Sequence, residues 1–282
     1  MRRVTIAIWL AAAIITAQNA IAGTWTTLDR PGGSHTWAFG IDGTNIVGGS
    51  STGSFLYDGS TWTTIYMYNY AYDIDGNNIV INSGDLGSYL YNITNSTMTP
   101  LIMPRVYSTD AYGIDGNNIV GGSTIGAFLY NGATWTILDM PGAGSETAYG
   151  IDGNNIVGQY FDGSTWHGFL YDGSIWTTLD MPGAYSTVAY GIDGSNIVGS
   201  YSDGSGRHGF LYDGSNWTTL DMPGEFPTFA RGIDGDYIVG YYTGTGGIAH
   251  GFIYTIPEPA SLIVFGAGFL ILLARNRTSH KK

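Results

Sequence analysis

The tripeptide Ile-Asp-Gly occurs six times, at Ile41, Ile74, Ile114, Ile151, Ile192 and Ile233, at intervals of 33, 40, 37, 41 and 41 residues. Self-similarity at this period limits the chain to a stack or ring of similar units, none of which buries its apolar surface alone. Each tripeptide is followed by a Phe-Leu-Tyr type triplet, at Phe55, Tyr89, Phe128, Phe169, Phe210 and Phe252. A Thr-Trp-Thr-Thr-Leu-Asp segment or a variant of it falls at Trp25, Trp62, Met98, Trp135, Trp176 and Trp217.

Within one unit, Ala189 to Ile192 and Ile197 to Gly199 flank Asp193-Gly194-Ser195-Asn196, while Gly209 to Tyr212 and Trp217 to Asp221 flank Asp213-Gly214-Ser215-Asn216. Asp-Gly between short β-branched and aromatic runs is a hairpin signal, because Gly accepts positive φ and Asp can bond its own turn. Each unit therefore reads as two hairpins, or four strands. Met-Pro-Gly at Met140, Met181 and Met222 separates units, since Pro cannot donate to a ladder. In Phe210-Leu211-Tyr212 the two rings point to one face and Leu211 to the other, so the sheet is apolar on both sides and needs a neighbour on each. The pattern predicts an all-β, six-bladed β-propeller of four-stranded repeats, with a β-solenoid or open repeat stack as the alternative. The density of Gly, Thr and aromatics argues against helical repeats. The sixth unit ends at Phe252-Ile253-Tyr254 without an outer strand, and Thr24 to Leu28 supplies one, so these segments are expected to pair and close the ring.

Outside the repeats the two ends are distinct. Met1-Arg2-Arg3, an apolar run from Val4 to Thr16, and small residues Ala20 and Ala22 before Gly23 describe a secretory signal peptide over residues 1–22, a retained anchor being the alternative. The propeller domain is assigned to residues 23–255. Residues 256–282 hold Pro257-Glu258-Pro259, an uncharged apolar run from Ala260 to Ala274, then Arg275-Asn276-Arg277. As a helix that run is about 22 Å long, short of the roughly 30 Å hydrocarbon core, which predicts a transient membrane association with the basic end cytoplasmic. Between Gly23 and Pro259 four arginines (Arg30, Arg105, Arg207, Arg231) and no lysine stand against all 22 acids, so the formal charge is 4 − 22 = −18. Such a field repels polyanions and excludes DNA or RNA as partners. With no Cys there is neither a disulfide nor thiol chemistry.

Two resemblances follow from these residues. Pro257-Glu258-Pro259, the apolar run and Arg275 with Arg277 resemble the PEP-CTERM sorting signal of Gram-negative bacteria, which implies recognition by an exosortase and removal of the tail, a plain tail anchor being the alternative. His167-Gly168-Phe169-Leu170-Tyr171 and His208-Gly209-Phe210-Leu211-Tyr212, with His250-Gly251-Phe252-Ile253-Tyr254, resemble the HAF-type extracellular repeat, which implies no particular activity. Exosortase systems imply exopolysaccharide or surface proteins as partners.

Little in the sequence points to chemistry. All acids but Glu146, Glu225 and Glu258 are aspartates, most of them before Gly or at a Leu-Asp strand end, where they form turns and strand caps. No pair of carboxylates is marked for glycoside hydrolysis, and no nucleophile elbow, zinc-protease helix or phosphate loop is present. His167, His208 and His250 occupy equivalent places in adjacent units, too far apart in a propeller to share one ion; no catalytic, metal or cofactor site is expected. No loop has the Asp-x-Asp-x-Asp-Gly calcium spacing. Function is best sought where one copy departs from its siblings: Asp73 replaces Gly in unit two, which also has Ile81 to Asp85 after its second strand and Met98 for Trp, and Arg231 replaces an aromatic in unit six, with Glu225 and Asp236 nearby in sequence. The sequence reads as a non-catalytic surface or matrix protein. The rival is an extracellular carbohydrate-active lyase or hydrolase, which an Arg/His/Tyr cluster in a single cleft would favour. The processing reading has a direct test: intact mass of native protein is expected to show a chain beginning at Gly23 and ending near Pro257, and retention of Met1 or Lys282 would refute it.

Overall fold

A computed structural model describes residues 23–67, 69–83 and 87–257. The expectations placed on Ala20, Ala22, Asp85, Glu258, Pro259, Arg275 and Arg277 lie outside the described residues. The described chain begins with β1 (Thr24–Leu28). Blade 1 is β2 (Thr36–Asp42), β3 (Asn45–Ser50), β4 (Gly53–Tyr57) and β5 (Trp62–Thr64); blade 2 is β6 (Tyr70–Asp75), β7 (Asn78–Asn82), β8 (Ser88–Asn92) and β9 (Thr97–Leu101). Blade 3 is β10 (Thr109–Asp115), β11 (Asn118–Ser123), β12 (Gly126–Tyr130) and β13 (Trp135–Leu138); blade 4 is β14 (Ser145–Asp152), β15 (Asn155–Phe161), β16 (Trp166–Tyr171) and β17 (Trp176–Leu179). Blade 5 is β18 (Ser186–Asp193), β19 (Asn196–Ser202), β20 (Arg207–Tyr212) and β21 (Trp217–Leu220); blade 6 is β22 (Thr228–Asp234), β23 (Tyr237–Thr243) and β24 (Ala249–Thr255), completed by β1. Every sheet is an antiparallel meander of four strands, and the six form a β-propeller.

The hairpin between the first and second strands of each blade is set by its Asp-Gly. Gly43, Gly76, Gly116, Gly153, Gly194 and Gly235 have φ of 54° to 58° and occupy the first of two loop positions, as a type II′ turn requires. The aspartate acts differently from the sequence expectation. It does not bond its own turn; its Oδ2 accepts the turn amide of the next blade, Asp42 from Gly76, Asp75 from Gly116, and so on to Asp234 from Gly43, at 2.6 to 2.8 Å. Six such bonds make a closed relay around the axis. Own-turn bonding is found in the hairpins of the third and fourth strands, where Asp58, Asn131, Asp172 and Asp213 each accept two amides two and three residues ahead, and in those of the second and third strands at Asp162 and Asp203. Pro-Gly between blades forms a type II turn: the Ala143, Ala184 and Glu225 amides donate to Met140, Met181 and Met222 carbonyls. Arg105, with φ of 67°, holds the left-handed position that Gly142, Gly183 and Gly224 hold elsewhere.

The apolar core is divided among the blade interfaces. Each described cluster joins the second, third and fourth strands of one blade to the first three of the next, as when Val120, Ala127 and Leu138 of blade 3 meet Ala148, Ile151, Ile156 and Phe169 of blade 4. Phe55, Phe128, Phe169, Phe210 and Phe252 are fully buried there. Trp135 meets Phe128 edge-on at 5.0 Å and stacks on Tyr130 at 4.4 Å, a trio repeated in every blade except blade 2, where Met98 replaces the Trp. Burying each such ring is worth about 2–3 kcal/mol, and only a neighbouring blade can do it.

Closure follows the expected route. β1 pairs antiparallel with β24, Trp25 opposite Tyr254 and Leu28 opposite Gly251. Leu28 then enters the cluster shared by blades 6 and 1, with Ala38, Ile41, Phe55 and Val239. A chain starting at Asp29 loses that strand, the Leu28 packing and Trp25 against Phe252 and Tyr254 together. We expect destabilisation of about 5 kcal/mol or more, comparable to the whole stability of many domains. A thermal melt reads it, and an unchanged midpoint would contradict the closed ring.

Candidate functional site

The same irregularity recurs in every innermost strand. The ladder between first and second strands slips by one residue, between Ala38 and Gly40 in blade 1 and at the equivalent place in the other five. A bulge leaves one residue unpaired and re-aims its side chain. Those residues are Phe39, Tyr72, Tyr112, Tyr149, Tyr190 and Arg231, and together they line one cavity on the axis. Ring centroids run 5.1 Å from Phe39 to Tyr72, 5.0 Å to Tyr112, 5.1 Å to Tyr149 and 5.2 Å to Tyr190. The circle is completed by the Arg231 guanidinium, 3.8 Å from the Tyr190 centroid and 5.5 Å from that of Phe39. Arg231 Nη2 donates to Tyr241 Oη at 3.3 Å, and its Nε is buried without a partner. Burial acts against the guanidinium charge, but the Tyr190 and Tyr241 phenols outweigh it and the pKa is raised. Desolvation raises the pKa of Tyr72, Tyr112 and Tyr149, which keeps them as neutral O–H donors.

One residue further along the strand lies a ring of Gly. A Cβ on Gly113 would come within 2.6 Å of the Tyr149 carbonyl, and Gly150, Gly191 and Gly232 are equally close to the next blade. Asp73 occupies this ring in blade 2. Its Oδ2 accepts the Ile114 amide of blade 3 at 2.9 Å, and it lines the same axial cavity as Arg231. The residue is half-buried, and desolvation lifts its pKa to about 7. The Ile114 and Ile74 amides oppose that shift, and Asp75 and Asp42 reinforce it. Beyond it the relay aspartates line the channel mouth, about 130 Å³ in volume.

The other sequence candidates are not gathered here. Glu225 lies in the loop before β22 and Asp236 in the turn after it, so about 23 Å of strand separates them. His167, His208 and His250 sit on third strands, each with its own aspartate, Asp180, Asp221 and Asp29, at 2.8 to 2.9 Å from Nδ1. Each stacks on a tyrosine, Tyr160, Tyr201 or Tyr242. For His167, burial pulls the pKa down but hydrogen bonds to Asp180 and Asp162 outweigh it, and the net shift is upward. These trios fasten strands within a blade and are separate from one another.

A second concavity, missed from sequence, lies between blades 1 and 2. It has a volume of about 410 Å³ and is walled by Trp37, Tyr70 and Met67, with Ser50, Ser51, Thr52 and Asn69 around them. Trp37 meets Tyr70 edge-on at 5.8 Å. Arg30, buried beneath, donates from Nη1 to Ser50 Oγ at 3.0 Å and to the Gly53 carbonyl at 3.2 Å, fixing the floor. Antiparallel order puts this pocket on the face bearing the inter-blade loops. That face also carries Tyr66, Ile102, Tyr107, Tyr185 and Phe226, all exposed, whereas the tight-turn face has Ile175 and Tyr237. The run Trp37/Tyr70 could have been found as the aromatic two residues before the bulge, a place held by Asp110, Thr147 and Val188 in blades 3 to 5.

No family model and no curated protein matches the chain. Solved structures share its fold: a chain of a mitotic checkpoint complex is 11% identical over 92% of this chain and 99% of that one, with a TM-score of 0.50. The extracellular domain of a putative one component system from B. thetaiotaomicron is 14% identical over 82% of this chain, with a TM-score of 0.46. This chain spans about a third of that domain's length, at 34%. BamB from Moraxella catarrhalis is 11% identical over 77% of this chain and 84% of that one, with a TM-score of 0.38.

Asp73 makes stability depend on pH. Its pKa is about 7 folded and about 3.9 unfolded, so the folded state binds more protons between those values. Stability then falls as pH rises from about 4 to about 7 and is level above. A three-unit shift corresponds to about 4 kcal/mol at full strength, and solvent reaching the carboxyl tip reduces it. Asp73→Asn keeps an acceptor for Ile114 and removes the titration. Its stability relative to the parent is expected to improve by about 1–3 kcal/mol from pH 4 to pH 8, read from urea midpoints; an equal difference at both pH values would contradict the assignment.

Proposed function

We propose that this protein is an exported, non-catalytic glycan-binding propeller of the cell surface or matrix, delivered by its signal peptide and sorted by an exosortase through the PEP-CTERM-like tail. The observation that carries the binding reading is the Trp37/Tyr70 pocket. Pyranose rings present C–H faces to aromatic side chains and hydroxyls to polar rims, and this pocket offers both within a volume ordinary for a small-molecule site. Among the described residues no cationic side chain lines it to pair with an acidic sugar, which suits a neutral exopolysaccharide over an acidic one in a domain already strongly anionic.

The lyase or hydrolase alternative draws on one specific observation, the gathering of Arg231 and four tyrosines in a single channel. The axial cavity of about 50 Å³ holds a few water-sized groups, well short of a sugar ring in a polymer. Non-catalytic binding is therefore the reading we adopt. A glycan-array screen of residues 23–255, run beside a turnover assay on the same glycans, separates the two. Binding without turnover is expected, and Trp37→Ala is expected to weaken it about tenfold, the scale of one lost aromatic contact with its buried area. Turnover of any bound glycan would favour the enzyme, and binding untouched by Trp37→Ala would place the site elsewhere.

A further inference from the structure

The Arg231 guanidinium is a cation set among protein atoms with no anion of its own. Among the described residues no carboxylate approaches it within the 4.0 Å of an ion pair; the ion pairs present all belong to histidines. Asp73 lines the same cavity, yet its carboxyl is engaged by the Ile114 amide. The aromatic faces of Tyr190, Phe39, Phe229 and Tyr241 soften the charge through their quadrupoles. They cannot accept the in-plane N–H groups, and Nε is left buried without a partner. A buried polar group in that condition, in a chain otherwise economical with its cations, points to a ligand.

The surroundings say which ligand. One N–H of Nη2 goes to Tyr241, leaving its other N–H and both of Nη1 as the fork, while Tyr72, Tyr112 and Tyr190 have hydroxyls without a hydrogen-bond partner among the described residues. Tyr149 Oη accepts from Gln159 Nε2 at 3.0 Å and also has the Thr147 hydroxyl within hydrogen-bonding reach, so it is already engaged. The channel thus presents a planar cationic fork beside several neutral O–H donors, in a cavity of about 50 Å³. A two-oxygen planar anion fits the fork better than a spherical one. We propose that the propeller axis is a binding site for one carboxylate group, held by Arg231 and the hydroxyls of Tyr72, Tyr112 and Tyr190. The relay aspartates at the tight-turn mouth repel anions, so the carboxylate enters from the face bearing the inter-blade loops. It comes either as a small free acid or as the pendant carboxylate of a larger molecule lying on that face. This site is independent of the Trp37/Tyr70 pocket.

The test is a thermal titration of the full-length protein with sodium acetate, sodium chloride and sodium galacturonate at constant ionic strength. Acetate is expected to raise the melting temperature saturably, by about 3 °C or more, as for any ligand of the folded state alone. Arg231→Tyr restores the residue type of the neighbouring blades and should fold while losing the response; Arg231→Lys, which keeps charge but not the fork, should need at least about tenfold more acetate. A galacturonate response matching acetate assigns the site to pendant carboxylates, and acetate alone assigns it to small free acids. No saturable response to acetate, an equal response to chloride, or an acetate response that survives Arg231→Tyr would each overturn the proposal.

Discussion

A sheet that is apolar on both faces cannot stand alone, and the rest of this structure depends on covering those faces. Each blade covers one face of the next, so the core is a set of interfaces arranged in a circle with no central mass. In a circle of that kind the last interface is worth as much as any other, and leaving it open would expose Phe55 on one side and Val239 on the other. Pairing β1 with β24 ties the two ends of the chain into the same sheet and removes the open edge. The aspartate relay runs the same way round: its seam bond, from the Gly43 amide to Asp234, links residues 191 apart in sequence.

Ring closure creates an axis, and the bulge decides what faces it. A regular inner strand would alternate its side chains between the two blade interfaces; slipping the ladder at one residue per blade turns that residue into the channel. Six copies of one local irregularity therefore assemble a belt of aromatic rings that no single blade possesses. Along the channel the two departures from the repeat acquire meaning. Arg231 and Asp73 lie in different blades, far apart in sequence, and share one cavity where burial acts on the ionisation of both.

The acidic residues divide between two tasks. Some tie one blade to the next or cap their own turns, and others hold a histidine against a tyrosine within a blade. Exposed aromatics, by contrast, collect on the loop face, where the inter-blade connections are free of the relay's geometry and can vary from blade to blade.

The repeat, its four strands, the Asp-Gly hairpins, the Met-Pro-Gly breaks between units and the outer strand missing from the sixth unit were all legible in the sequence, because each is a local pattern of side-chain period or backbone permission. Ring closure was legible for the same reason: the absent strand and its substitute both carry the Trp-Thr-Thr-Leu signature. Asp73 and Arg231 could be picked out as departures from the repeat, but not placed together, since their meeting depends on a bulge that leaves no mark in the order of apolar and polar residues. The relay bonds were hidden likewise: an aspartate before glycine looks the same whether it bonds its own turn or the next blade's, and only the angle between blades chooses. What the sequence by itself determined was the unit and the need to cover both its faces. What only the tertiary structure decided was which side chains meet on the axis, because that follows from the curvature of the closed ring, a property of six blades together and of no segment alone.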